Sequence, residues 1–189
     1  KDIVMTFRTA NRTLNMRIAA AIQATGAPSG CVRTAADMDT LEAGAKPEKF
    51  VQAMSKLIMQ QPFYAVVLMD AMKVEFTRSV ETMATDGCSI FVNPDFSESM
   101  TVDENVFVIC HEVLHYILQH MPRGKLYQDR GFGPDLKAYS HDRMNKAADY
   151  IINDILVRGK IGTMPACALH DVSIANFDDI ADEVYGKMK

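Results

Sequence analysis

The sequence lacks tryptophan, any Cys-x-x-Cys pair and any long apolar run. A membrane-spanning helix needs roughly 18 or more consecutive apolar residues, and the best candidate, residues 63–72, is cut by Asp70. No spanning helix is therefore expected. A large excess of one charge is also missing, since 20 Lys and Arg stand against 24 Asp and Glu for a net charge of -4. Without a broad cationic field, neither nucleic acid nor an anionic membrane surface is an expected partner. Four cysteines, Cys31, Cys88, Cys110 and Cys167, lie far apart, and a chain of this size can hold a core without covalent staples. They read as reduced and mostly buried thiols, which points to a cytoplasmic location. The chain begins at Lys1 rather than Met, as a trimmed or processed product would, and an upstream targeting segment would not be visible. Internal repeats, low-complexity tracts and interdomain linkers are absent as well. The expectation is one domain over 1–189, with an N-terminal helical part at 1–61 and a core at 62–189.

What is present is a hydrophobic pattern whose period changes along the chain. At 9–24, Leu14, Met16, Ile18, Ala21 and Ile22 recur at roughly helical spacing before Gly26, Pro28 and Gly30, which predicts an amphipathic helix. A second helix starts at Pro47, carries Phe50, Val51, Met54, Leu57 and Ile58 on one stripe and ends before Pro62; a third covers 63–72. The 13 methionines read as core filler rather than ligands. Residues 74–78 and 88–93, rich in Val, Ile, Phe and Thr, predict strands of a small sheet, with 82–85 as a third candidate. Asp86-Gly87 is a turn pair, and Asn93-Pro94 places the end of the last strand near a sheet edge, because proline has no N–H to donate. Thr101-Val102-Asp103-Glu104 is a capping box opening a helix to about His120, buried along Val106, Ile109, Cys110, Val113, Leu114 and Ile117. Residues 121–140 have no hydrophobic period and contain Pro122, Gly124, Gly131, Gly133 and Pro134, which reads as a long loop walling a site. A helix over 141–158 stopped by Gly159, and a short one within 177–187, complete the pattern. The fold class is α+β, with a small, mostly antiparallel sheet packed against the capped helix and several further helices.

That capped helix carries the sharpest chemical signal, His111-Glu112-Val113-Leu114-His115. An H-E-x-x-H arises by chance in about 1 chain in 200 of this composition. Helical residues four apart lie about 40° from each other, so both imidazoles project from one face and can share a tetrahedral zinc ion. Glu112 lies beside them, placed to take a proton from a water acidified by the ion as it attacks a carbonyl carbon. Catalytic zinc takes three protein ligands and leaves one position open, so a third ligand is needed. His120 is a poor choice, because on a continuous helix it would face away from His111. The longer H-E-x-x-H-x-x-G-x-x-H pattern also fails, at Leu118 and Met121. Asp149 is better: it interrupts the apolar run Ala147-Ala148-Asp149-Tyr150-Ile151-Ile152, where an uncompensated carboxylate is costly. The competing reading of Asp149 is an exposed helix acid or a structural ion pair. Asn145 and Asn153 share its face one turn either way and are placed to hydrogen-bond the carboxylate or a ligand histidine. Tyr139, His141 and Tyr150 are candidates for stabilising an oxyanion. His170 stands alone in a loop and receives no role.

Several of these segments together resemble a known family. Thr85-Asp86-Gly87, Phe91-Val92-Asn93-Pro94-Asp95-Phe96, His111 to His115, Asn145-Lys146-Ala147-Ala148-Asp149-Tyr150-Ile151-Ile152-Asn153 and the tail at 177–185 resemble the metallopeptidase domain found N-terminal to von Willebrand A-like domains. The resemblance covers about 62–187. It implies a zincin-like fold, zinc held by His111, His115 and Asp149, Glu112 as general base, and a von Willebrand A-like domain or another protein as partner. The family usually has Trp where this chain has Met144, so the packing beside Asn145 must differ.

The expected activity is zinc-dependent hydrolysis of a peptide or protein substrate. The strand with Ile90, Phe91, Val92 and Asn93 would lie along the cleft and pair with an extended substrate. Two other functions fit the same residues. One is an inactive, zinc-stabilised interaction domain; the other is a zinc amidase acting on a non-peptide or cell-wall amide. A zinc with an open position beside a long groove favours the peptidase. A fully occupied zinc favours the interaction domain, and a short blind pocket favours the amidase.

Overall fold

Apolar side chains from the described helices meet, in the computed structural model, against a three-stranded sheet. The structure describes residues 46–188, which lie within one compact unit, Met38–Lys189. The helix expected at 9–24 lies outside the described residues. α1 (Glu48–Gln60) and α2 (Pro62–Ala71) come first, with Pro62 in the first turn of α2, where a missing N–H costs nothing. α1 buries Phe50, Ala53 and Leu57. Val51 and Ile58, expected on that stripe, are exposed, because the buried face follows Ala53 instead.

The sheet comprises β1 (Lys73–Phe76), β2 (Met83–Thr85) and β3 (Ser89–Val92) in the order β1-β3-β2. β1 runs parallel to β3 and β2 antiparallel to it, so the sheet is mixed rather than mostly antiparallel. Asp86-Gly87 joins β2 to β3. Gly87 takes φ +86, and Asp86 Oδ1 accepts from the backbone N–H groups of Cys88 at 2.8 Å and Ser89 at 2.6 Å. The expected substrate edge along Ile90, Phe91, Val92 and Asn93 is corrected. β3 is the central strand, bonded on both sides, and Ile90 and Val92 are fully buried. Asn93 instead caps α3 (Pro94–Ser99), its Oδ1 accepting from Asp95 N–H at 2.9 Å, so Pro94 marks a helix start rather than a sheet edge.

α4 (Val102–Ile117) opens with the reciprocal Thr101–Glu104 capping box and packs against α1, β2 and α6. Val106, Ile109, Cys110, Val113, Leu114 and Ile117 are all buried. The helix does not run to His120. Gln119, at φ 56, turns the chain through the left-handed region, and α5 (His120–Arg130) starts at once where a bare loop is expected. Pro122 is tolerated because it sits in the first turn. Gly124 lies close under Tyr139: a Cβ there would come 2.9 Å from the Tyr139 hydroxyl, which would have to shift.

α6 (His141–Gly159) is capped by Ser140, whose side chain accepts from Arg143 N–H, and ends through Lys160 in the left-handed region rather than at Gly159. Met144 is buried. α7 (Ala181–Lys187) packs on α6 through Val184 and Tyr185, with the Arg143 guanidinium 3.7 Å above the Tyr185 ring. Between α6 and α7 the chain forms neither helix nor strand. It is held by Asp154, which is buried and accepts from Arg158 Nε at 2.7 Å, His170 Nε2 at 3.1 Å and Phe177 N–H at 2.9 Å. The cysteine reading is also corrected. Cys110 is free and buried and Cys167 free and exposed, but Cys88 is disulfide-bonded rather than reduced. No helix among the described residues is long and apolar enough to cross a membrane.

Candidate metal centre

α4 and α6 cross so that His111 and His115, one turn apart on the first, face Asp149 on the second. His111 Nε2 lies 3.0 Å from His115 Nε2. Asp149 Oδ1 lies 3.1 Å from His115 Nε2 and 3.3 Å from His111 Nε2. A tetrahedral ion with bonds of about 2.0–2.1 Å keeps its ligand atoms about 3.3–3.4 Å apart. The triangle is therefore close to the required spacing, and two imidazoles with one carboxylate form a donor set that suits zinc. These three residues fit a divalent metal ion.

The neighbours hold the donors in position. His111 Nδ1–H donates to Asn153 Oδ1 at 2.8 Å, and Asn153 Nδ2 donates to the Leu169 carbonyl at 2.7 Å. Asn145 Nδ2 donates to Asp149 Oδ2 at 3.2 Å. His120 Nδ1 lies 3.2 Å from His115 Nδ1. Burial disfavours charge on Asp149, but hydrogen bonds from His111 and His115 outweigh it and hold the carboxyl well below the ordinary carboxylate range. Burial likewise pulls the His111 pKa down, yet Asp149, Glu112 and Asn153 together raise it above its usual value. Burial, with His115 and Arg123 adding to it, keeps His120 well below its ordinary value and so neutral at pH 7.

The ligand atoms border a cavity of about 640 Å³ that Glu112 also lines. One wall is Thr82, Met83, Ala84 and Thr85; another is the segment with Pro165, Cys167, Ala168 and Leu169. β2 bonds to β3 on one side only among the described strands, so its other edge is open there. His141 reaches the lining from the start of α6, whereas Tyr139 and Tyr150 do not. Tyr150 follows Asp149 by one residue and is turned about 100° around the helix. The Tyr139 ring is committed to a stack on Tyr185, although its hydroxyl lies 3.4 Å from His141 Nδ1.

The sequence profile of the family described as "Putative metallopeptidase domain" matches residues 45–188. The chain belongs to this family. No curated protein and no solved structure matches it. The matched residues take in all three candidate ligands and every described helix and strand.

The sequence reading sets His120 aside as facing away on a continuous helix, and it misses the 165–169 wall. The spacing misplaces His120, because the helix breaks at Gln119, a residue type that gives no stop signal. The wall is fixed by a main-chain carbonyl, which no residue type advertises.

Proposed function

We propose that this domain is a zinc-dependent peptide hydrolase of the zincin-like, H-E-x-x-H class. The observation that carries the reading is the His111, His115 and Asp149 triangle opening onto a cavity that Glu112 and the β2 edge also line. When bound there, zinc supplies Lewis acidity, polarising a carbonyl and lowering the pKa of water toward about 7. The protein's own groups do the rest. Glu112 accepts a proton from the attacking water and delivers it to the leaving amine nitrogen. Asn153 and Asn145 orient His111 and Asp149. His141, on the cavity wall, is the donor toward the developing oxyanion. An extended peptide pairs with the outer edge of β2, the role first expected of β3.

The cavity supports a peptide over a smaller amide, since it runs from the 82–85 strand to the 165–169 wall. Outside the metal donors the charged groups among its described lining residues, Glu112 and Asp142, are both acidic, so neutral or cationic peptide segments fit better there than anionic ones. The test is Glu112→Gln, which removes the proton acceptor and keeps the side-chain volume. Zinc content stays at the wild-type level, and cleavage of an unstructured protein substrate falls at least about 100-fold. Turnover retained in this variant rules out the mechanism. Wild-type protein that unfolds on chelation and cuts no substrate points instead to a metal-stabilised interaction domain.

A further inference from the structure

We infer that His120 is a positioning residue for the metal centre, fixing the tautomer and ring orientation of His115 through a hydrogen bond between the two Nδ1 atoms. The inference rests on the metal reading above and extends it to a residue outside the H-E-x-x-H pattern. The two nitrogens are 3.2 Å apart, and the rings meet edge to face with centroids 5.1 Å apart. Both side chains are buried, so water does not compete for the contact.

Only one proton fits between two ring nitrogens at this separation. A neutral histidine that offers its Nε2 lone pair to an ion carries its proton on Nδ1. His115 is then the donor, His120 Nδ1 the acceptor, and the His120 proton sits on its own Nε2. His111 receives the same support from a different group, Asn153 Oδ1 at 2.8 Å. With an ion bound, both ligand imidazoles would thus present an unprotonated Nε2 to it in place of the N–H each offers Asp149 here, one held by an amide oxygen and one by a third histidine. The fold provides this through Gln119. Its left-handed φ of 56 ends α4 and brings His120 back against His115 instead of carrying it around the helix.

The test measures zinc affinity of the stripped full chain by competition with a chromophoric chelator, in wild type, His120→Leu and His120→Asn. Leucine keeps the bulk and removes the acceptor, whereas asparagine puts an amide oxygen close to the place of Nδ1. We expect His120→Leu to bind zinc about 10–100-fold more weakly and His120→Asn to recover most of that loss. A role in packing alone predicts wild-type affinity for the leucine variant, which would overturn the inference. A second measurement needs no variant. Nitrogen NMR of the zinc-loaded wild type is expected to show the proton on Nε2 of His120 and on Nδ1 of His115; a proton on His120 Nδ1 overturns the assignment. Wild-type protein that binds no zinc overturns the metal reading together with this one, while unchanged affinity in the leucine variant overturns only this one.

Discussion

Asn153 offers the most informative perturbation, because its two ends act on two different things. Its Oδ1 holds His111, and its Nδ2 holds the carbonyl of Leu169 on the cavity wall. The side chain is buried and both bonds are short, 2.8 and 2.7 Å. Asn153→Ala removes both. A net hydrogen bond contributes about 1 kcal/mol, and a buried partner left unsatisfied costs about 1–3 kcal/mol. The His111 N–H is the enclosed partner, whereas the half-buried Leu169 carbonyl can recruit water, so the expected loss is about 2–4 kcal/mol. For a domain of this size that lowers the melting temperature by roughly 4–15 °C. Asn153→Asp separates the two functions. It keeps an acceptor for His111 and loses the donor to Leu169, so zinc affinity stays within a few-fold of wild type while stability still falls by about 1–2 kcal/mol. Asn153→Ala loses zinc affinity by about 10–100-fold as well. Calorimetry of the zinc-free variants and chelator competition read the two effects independently. Equal zinc affinity in the Ala and Asp variants would refute the claim that Oδ1 orients a ligand.

Two further predictions follow from the same helix. Asp149→Ala removes one corner of the donor triangle, so zinc measured by atomic emission in purified protein falls from stoichiometric to a small fraction; equal zinc content in variant and wild type takes Asp149 out of the coordination shell. Asp154→Asn tests the anchor of the 160–180 segment. Burial favours the neutral acid, but His170, the Phe177 N–H and Arg158 together hold the Asp154 pKa below its ordinary value. A depressed carboxyl contributes stability that is fully present above its unfolded pKa of about 3.9 and is lost as pH falls through the folded value. The melting-temperature gap between wild type and Asp154→Asn is therefore widest at neutral pH and closes below about pH 4; a gap that widens toward acid contradicts the assignment.

The parts of the fold visible in the sequence are those set by local chemistry. Thr101 and Glu104 are three apart and bond each other across one helical turn, so the start of α4 can be read directly. Asp149 stands out because a carboxylate inside an apolar helical run needs a partner, and the partners are two imidazoles. What escaped depends on contacts distant in sequence or on exceptions to propensity. The parallel pairing of β1 with β3 places β2 on the far side, and no residue in β3 announces that it is central. Pro122 and Gly124 look like helix breakers. One sits where its missing N–H is not needed, and the other makes room for a tyrosine hydroxyl from the next segment. Cys88 gives no sign in its spacing that it is cross-linked.

The adjacent residues Asn153 and Asp154 tether a stretch of chain with no regular structure, one at the Leu169 carbonyl and the other at His170 and Phe177. Between those knots, exposed residues such as Val172 and Ile174 have little to do with keeping the segment in place. A lineage could rewrite them, or change the length of the bight they form, and leave the donor geometry untouched. The candidate metal donors and the surface beside them are thereby free to evolve at different rates.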